Sequence, residues 1–322
     1  MAETIPILEG RDLVQHYKVA GNRTVQAVDG VSLTLHEGET LALVGESGCG
    51  KSTLSRLMMC LESPTSGQVL LEGKELTALR PAALREHRQR LQMVFQDPYA
   101  SLDPRMSAVE IVREPLDNYG IGARQDRNEM ALSLIRRVAL SPDYANRYPH
   151  ELSGGQRQRL GIARALALRP RVLIADEPVS ALDVSIQAQV INLLADIQAE
   201  QRLAILFVSH DIGIVAHLSE RVAVMYLGRI VESGPTAAVL DNPRHPYAQA
   251  LLDAVPVHHP RLRRRRTLVA GDLPSPVNPP SGCRFHPRCP LAVERCRSEV
   301  PALRSLSGGR QIACHLVSDS NN

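Results

Sequence analysis

No apolar run in this 322-residue chain approaches the roughly 18 residues needed to cross a bilayer, so no membrane-spanning helix is expected. The start, Met1-Ala-Glu-Thr-Ile-Pro, has no basic segment followed by an apolar core. That argues against a secretory signal and for a cytoplasmic setting. No internal repeat and no heptad coiled coil is visible. A net charge of +3 is too small to point by itself to nucleic acid or to a membrane surface. Cysteine is scarce over most of the length. Cys49 and Cys60 lie near one glycine-rich turn, and Cys283, Cys289, Cys296 and Cys314 crowd the last 40 residues.

What is present describes a folded protein: 44% hydrophobic and 22% charged residues, in a length that suits one large domain plus an appendage. Residues 7–44 alternate apolar and polar positions, as in Val31-Ser-Leu-Thr-Leu-His, and read as strands. A glycine-rich turn at Gly45–Ser52 opens a helix carrying Leu54, Leu57 and Met58. Gln68-Val-Leu-Leu-Glu-Gly and Leu91-Gln-Met-Val-Phe-Gln read as strands, and Met106–Arg147 as helical. Beyond it, helices over Gln156–Leu168 and Val184–Gln201 alternate with strands over Arg171–Asp176, Leu203–Ser209 and Val222–Tyr226. Strands alternating with helices predict an α/β fold with a mainly parallel sheet covered on both faces. After about residue 240 the texture changes: a short helix at Ala248–Ala254, the run Arg261–Arg266, a proline-rich stretch at Pro274–Pro280, then the four cysteines. Arg261–Arg266 reads first as a solvated linker, with anionic lipid or nucleic acid as the other option.

Gly45-Glu46-Ser47-Gly48-Cys49-Gly50-Lys51-Ser52-Thr53 matches the whole phosphate-loop pattern, with an apolar strand before it and a helix after it. Its glycines let backbone N–H groups converge on phosphate oxygens. Lys51 is placed to reach the β- and γ-phosphates and Ser52 to ligate Mg²⁺. A second anion site is suggested by Leu152-Ser153-Gly154-Gly155-Gln156 ahead of a long helix, where free N–H groups and the helix dipole favour negative charge. Ser153 followed by Gln156 also reads as a capping box, and the two readings are compatible.

Asp176-Glu177-Pro178 ends an apolar strand. Alone it would be a polar turn; with the phosphate loop upstream, Asp176 suits Mg²⁺ and Glu177 suits orienting or deprotonating an attacking water. Gln96 ends the strand from Leu91 and reads equally as a loop amide or as a sensor of metal and water. His210 ends another strand. A lone histidine there is commonly a surface or capping residue, and here it is also placed to donate to the γ-phosphate.

Taken in order, these motifs resemble the nucleotide-binding subunit of an ABC transporter over about residues 7–240. Gly45–Thr53 resembles Walker A and Val172–Glu177 Walker B. Gln96 falls on the Q-loop, Leu152–Gln156 is identical to the signature sequence, Ser180–Asp183 resembles the D-loop, and His210 falls on the switch histidine. Tyr17 matches the aromatic that stacks on adenine. The resemblance implies a P-loop ATPase with a mainly parallel core, an N-terminal antiparallel β subdomain and a helical subdomain at about 97–160. It implies ATP and Mg²⁺, with Ser52, Gln96 and Asp176 as metal ligands, and a head-to-tail dimer in which Ser153, Gly154, Gly155, Gln156 and Asp183 of one subunit close on the nucleotide of the other.

Asn242-Pro-Arg-His-Pro-Tyr-Ala-Gln-Ala-Leu-Leu252 and Gly271-Asp-Leu-Pro-Ser-Pro through Pro290 are similar to the C-terminal part of oligopeptide and dipeptide importer ATPases, a branch that includes nickel and glutathione importers. This makes residues 241–322 a small Cys-rich extension. It implies peptide uptake with two transmembrane permease subunits, a second related ATPase favoured over a homodimer, and an extracytoplasmic binding protein reached indirectly. The expected location is the cytoplasmic face of the inner membrane, held peripherally, with no nucleic-acid partner. The cysteine spacing C-x5-C-x6-C-x17-C matches neither the tight pairs of zinc ribbons nor the usual ferredoxin run. The resemblance nevertheless implies that the four cysteines act together, and four thiolates suit a [4Fe–4S] cluster, put first, or Zn²⁺. Free thiols or a disulfide pair remain the alternative.

Overall fold

The computed structural model describes residues 5–21, 23–254 and 274–318. The arginine run Arg261–Arg266 and residues 271–273 of the Gly271-Asp-Leu-Pro segment lie outside the described residues.

Strands β1 (Leu8–Val19), β2 (Arg23–Leu35) and β3 (Thr40–Val44) come first. They are followed by α1 (Lys51–Met58), β4 (Ser66–Leu71), β5 (Lys74–Glu75), α2 (Pro81–Arg88), β6 (Leu91–Val94) and α3 (Pro98–Ser101). A helical stretch holds α4 (Ala108–Tyr119), α5 (Arg127–Arg137) and α6 (Gly154–Leu166). Then come β7 (Val172–Asp176), α7 (Val184–Gln201), β8 (Ala204–Ser209), α8 (Ile212–Leu218), β9 (Arg221–Tyr226), β10 (Arg229–Pro235), α9 (Thr236–Asp241) and α10 (Pro246–Asp253). Short elements close the chain: α11 (Glu294–Ser298), β11 (Arg304–Leu306) and β12 (Arg310–Ile312).

The chain divides into two compact units. One is built around residues 78–208 with 35–39, the other from 8–34, 40–77 and 209 onward. In the 78–208 unit β6, β7 and β8 pair in parallel, Met93 opposite Ile174 and Ala175 opposite Phe207. Every residue of β7 is buried, as a strand covered on both faces requires. Helices α4, α5 and α6 pack on one another, and Val112, Leu116, Ala131, Ile135 and Ile162 along them are buried. The start of α4 is fixed by a capping box, in which Ser107 N–H donates to Glu110 Oε2 at 2.8 Å.

The other unit carries an antiparallel sheet in the order β2-β1-β4-β5. It also holds β3 and β9, paired in parallel, after which β10, β12 and β11 continue antiparallel from β9. The sheet is therefore mixed, and the residues past 300 extend it by pairing Glu232 with Ile312. The core of this unit joins Ala42 and Val44 of β3 to Tyr226, Tyr247 and Phe285. The three rings sit 4.6–5.5 Å apart between centroids, in tilted and edge-on geometries that suit aromatic quadrupoles.

Glu232 on β10 is wholly buried and ties this unit together. Its carboxylate accepts from the backbone N–H groups of Arg244 (3.1 Å) and His245 (2.8 Å) and from the Arg310 guanidinium. Arg310 also donates to the carbonyls of Ala238 (3.0 Å) and Asn242 (2.7 Å). A buried ion pair owes its stability to such completed bonding, and removing one partner strands the other charge. Glu232→Ala should lower unfolding free energy by about 3–5 kcal/mol. Urea unfolding of the purified chain checks this, and a loss below about 1 kcal/mol would contradict it.

His245 caps α10, its Nδ1 accepting from Tyr247 N–H at 3.0 Å. Burial pushes its pKa down to about 3. The folded state thus excludes the imidazolium while the unfolded chain takes up the proton near pH 6.5. Stability should fall as pH drops through 6.5 towards 3, by about 2 kcal/mol at pH 5. His245→Asn keeps a capping acceptor and removes the titration. Its stability difference between pH 7 and pH 5 should be smaller than wild type by that amount.

Candidate functional site

Fully buried β3 delivers the chain to Gly45, and backbone pressed on backbone shapes the loop that follows. Gly50 sits at φ 107° as the residue before α1, where a Cβ would lie 2.1 Å from the carbonyl oxygen of Ala27. A Cβ on Gly45 would lie 2.2 Å from that of Met225. Gly228 N–H donates to Cys49 O at 2.8 Å, closing the loop against the end of β9. No side chain caps α1, so its first N–H groups face the loop as an anion site should.

Lys51 is buried, and its Nζ donates to the carbonyls of Gly45 (2.9 Å) and Glu46 (3.1 Å). Ser52 and Thr53 continue the first turn of α1, while Ser47 and Gly48 form the loop's outer edge, with open space beyond Gly48. Burial pushes the Cys49 thiol up to about 11, which keeps it protonated and unreactive at neutral pH. Tyr17, on β1, bonds through its hydroxyl to the Glu62 carboxylate. Burial and then that bond raise its pKa. His210 is exposed just past β8, beside Asp211, which caps α8 by accepting from Gly213 N–H at 2.8 Å.

Two residues that the motifs did not single out also touch this loop. Glu46 N–H donates to Tyr247 Oη at 2.8 Å. Arg288 grips the Glu46 carboxylate with both terminal nitrogens, at 3.0 and 3.2 Å. Both lie in the segments similar to peptide-importer ATPases, where the sequence carries no sign that they reach the phosphate loop.

The 78–208 unit holds the other predicted residues. Asp176 ends β7 nearly buried, at 4% exposure. Glu177 follows in the left-handed region at φ 45°, its N–H bound to Val208 O at 3.0 Å. This conformation is uncommon for a residue with a Cβ and turns its side chain out of the strand line. Gln96 Nε2 donates to Glu177 Oε2 at 2.9 Å, so the structure joins these two predicted residues. Ser153 and Gln156 form the expected capping box: Ser153 N–H donates to Gln156 Oε1 at 2.9 Å, and Gln156 N–H to Ser153 Oγ at 3.3 Å. Gly154 and Gly155 face Leu182 and Ile186, and a Cβ on Gly155 would meet Ile186 at 2.4 Å. The signature turn is thereby set beside Asp183, which opens α7.

Of the donors expected for Mg²⁺, Gln96 and the nearly buried Asp176 lie in the 78–208 unit and Ser52 in the other; all three offer hard oxygens, the donor type this ion takes. The four C-terminal thiols fit a metal less well. Cys296 and Cys314 are buried, Cys283 and Cys289 partly so, and all are free. Burial, and then the neighbouring thiols, push Cys283 up to about 11 and raise Cys289 and Cys314. Among the described residues no group of three or more His, Cys, Asp or Glu side chains is arranged to hold a metal ion. The expected [4Fe–4S] or zinc centre finds no support in this arrangement.

Residues 28–180 match the family described as ABC transporter, and residues 231–296 match the oligopeptide/dipeptide transporter C-terminal region. A probable peptide ABC transporter ATP-binding protein, y4tS, of Sinorhizobium fredii is 55% identical over 96% of this chain and 90% of its own length. The chain belongs to the ABC transporter family. The oligopeptide transport ATP-binding protein AppF of Bacillus subtilis is 50% identical over 97% of this chain and 98% of its own. The di/tripeptide transport protein DppF of Pseudomonas aeruginosa is also 50% identical, over 96% and 97%. Among solved structures, the dimeric ATP-binding cassette MJ0796, bound to ADP and Pi after hydrolysis, has a TM-score of 0.67 and 32% identity. It covers 71% of this chain and 98% of that one. The cbiO1 protein of Clostridium perfringens, part of an ABC transporter complex, has a TM-score of 0.64 and 28% identity, covering 74% and 91%. The fold is that of an ABC ATPase, with a mixed sheet and an antiparallel N-terminal sheet.

The crowding at Gly50 gives this ABC ATPase a direct test. Gly50→Ala should lose ATP binding by at least about 100-fold, since the loop must move to admit a Cβ at positive φ. Titration with a fluorescent ATP analogue checks it; affinity within about threefold of wild type would contradict it.

Proposed function

We propose that this chain is the ATP-hydrolysing subunit of an importer that takes up dipeptides or oligopeptides across the cytoplasmic membrane. The observation that carries this reading is the match of residues 231–296 to the oligopeptide/dipeptide transporter C-terminal region, joined in one chain to a full set of ATPase residues. Near-full-length relatives named for peptide transport support it.

In this reading residues 7–240 form the ATPase domain, with a helical subdomain at about 97–160, and residues 241–322 form the extension. Gly45–Thr53 cradles the phosphates of ATP, and Tyr17 stacks on adenine. Lys51 exchanges its two carbonyl partners for phosphate oxygens, a move within the reach of its flexible side chain. Ser52, Gln96 and Asp176 would hold Mg²⁺, which would neutralise charge developing on the phosphates. Glu177 orients a water for attack on the γ-phosphorus and accepts its proton. The bond from Gln96 fixes the orientation of that carboxylate before the water arrives. His210 donates to the γ-phosphate. Ser153, Gly154, Gly155, Gln156 and Asp183 close on the nucleotide of a partner subunit, so neither subunit completes a site alone.

That partner is a second, related ATPase, giving a heterodimer under two permease subunits, with an extracytoplasmic binding protein supplying the peptide. Among the described residues no helix is long and apolar enough to cross a membrane, which fits a peripheral place on the cytoplasmic face.

The test is transport by the assembled complex in vesicles. Wild type should couple ATP hydrolysis to dipeptide or oligopeptide uptake. Glu177→Gln should bind ATP within about threefold of wild type yet lose at least about 100-fold in turnover and all uptake. Substantial residual turnover would reject Glu177 as the catalytic carboxylate. ATPase activity without uptake of any peptide would reject the cargo.

A further inference from the structure

A carboxylate is an awkward neighbour for a triphosphate. Glu46 is the second residue of the phosphate loop, and its negative charge works against the site's purpose unless another group offsets it. Arg288 does so with a two-pronged grip, the strongest geometry available to a guanidinium and a carboxylate. The Arg288 side chain is only 10% exposed and that of Glu46 31%, so solvent screens the pair incompletely.

Arg288 is itself held in place. Its guanidinium lies 5.9 Å from the ring centre of Tyr226, and Nη1 is 3.4 Å from the Tyr226 hydroxyl. The short turn His286–Arg288 that carries it follows Phe285, which packs edge-on against Tyr226. Tyr247, buried against both rings, accepts from Glu46 N–H. Glu46 is thus gripped at its amide by Tyr247, at its carboxylate by Arg288 and at its carbonyl by Lys51. Two of those three grips come from residues beyond 240.

We infer that Arg288 is a positioning residue for the ATP site. It neutralises Glu46 and, with Tyr247, anchors the first turn of the phosphate loop, so that the C-terminal segment sets nucleotide affinity. The inference rests on the ATPase reading above and adds to it a role for a segment outside the ATPase motifs.

The experiment measures ATP-analogue binding and the KM and kcat of ATP hydrolysis on the full-length chain in its assembled complex. Arg288→Met should weaken binding and raise KM about five- to tenfold with kcat within about twofold, because it unmasks a carboxylate without touching the reacting atoms. Arg288→Lys keeps the charge but loses the two-pronged grip, and should bind ATP more tightly than Arg288→Met and less tightly than wild type. Glu46→Gln placed on Arg288→Met removes the unmasked charge and should bring affinity back to within about twofold. A merely structural role would not give that rescue. Unchanged affinity in Arg288→Met, an equal fall in kcat, or no recovery in the double variant would overturn the inference. Should Arg288→Met fail to fold by melting curve, Tyr247→Phe takes its place. It removes one oxygen without altering core volume and should weaken binding about threefold with kcat unchanged; unchanged affinity would overturn the anchor. Wild-type protein that neither binds nor hydrolyses ATP would instead sink the ATPase reading itself.

Discussion

The phosphate loop keeps its shape because two carbonyl oxygens stand where two side chains would otherwise begin. Ala27 O, from β2, lies against Gly50, and Met225 O, from β9, lies against Gly45. Hydrogen bonds alone would leave such a loop free to breathe, whereas contact at this distance leaves only glycine a place. The bond from Gly228 N–H to Cys49 O closes the remaining side. A loop held this way presents its N–H groups without rearrangement, and preorganisation of that kind spares the cost of ordering them when phosphate arrives.

The end of β9, which carries Met225 O and leads to Gly228, is packed against the C-terminal part of the chain. Aromatic residues make up 3% of the sequence and tryptophan is absent. Yet Tyr226, Tyr247 and Phe285 are gathered into one buried cluster directly behind the loop. In the same unit Glu232 binds β10 to the start of α10 and, through Arg310, to β12. The extension therefore does not need a hydrophobic core of its own. It shares one with β3, β9 and β10, through Tyr247, Ala248 and Phe285.

Local pattern made much of this legible. The helix at Val184–Gln201 and the buried strand ending in Asp176 follow from periodicity and from a short apolar run ending in acids. The capping box at Ser153–Gln156 follows from spacing alone. Three features were not readable. The antiparallel half of the sheet depends on β12 pairing with β10 across 78 residues of sequence, for which no local rule exists. The left-handed turn at Glu177 is imposed by neighbours, because glutamate has no preference for that region. The bond between Arg288 and Glu46 spans 242 residues, and an arginine in a Cys-rich segment looks like any surface cation.

The turn at Glu177 shows how two adjacent acids come to be presented differently. Asp176 belongs to the strand, stays nearly buried and keeps a fixed direction, as the metal-ligand role proposed for it requires. A regular strand would send the next side chain to the opposite face. The positive φ of Glu177 breaks that alternation at a cost of about 1 kcal/mol, small enough for the bond from its N–H to Val208 O to offset. Freed from the sheet, the carboxylate meets the Gln96 amide, which comes from the end of the neighbouring strand β6. Any motion of the Gln96 loop must therefore break or remake a bond to the proposed base. The residue that reads from sequence as a sensor of metal and water is thus joined directly, by a hydrogen bond, to the residue proposed to perform hydrolysis.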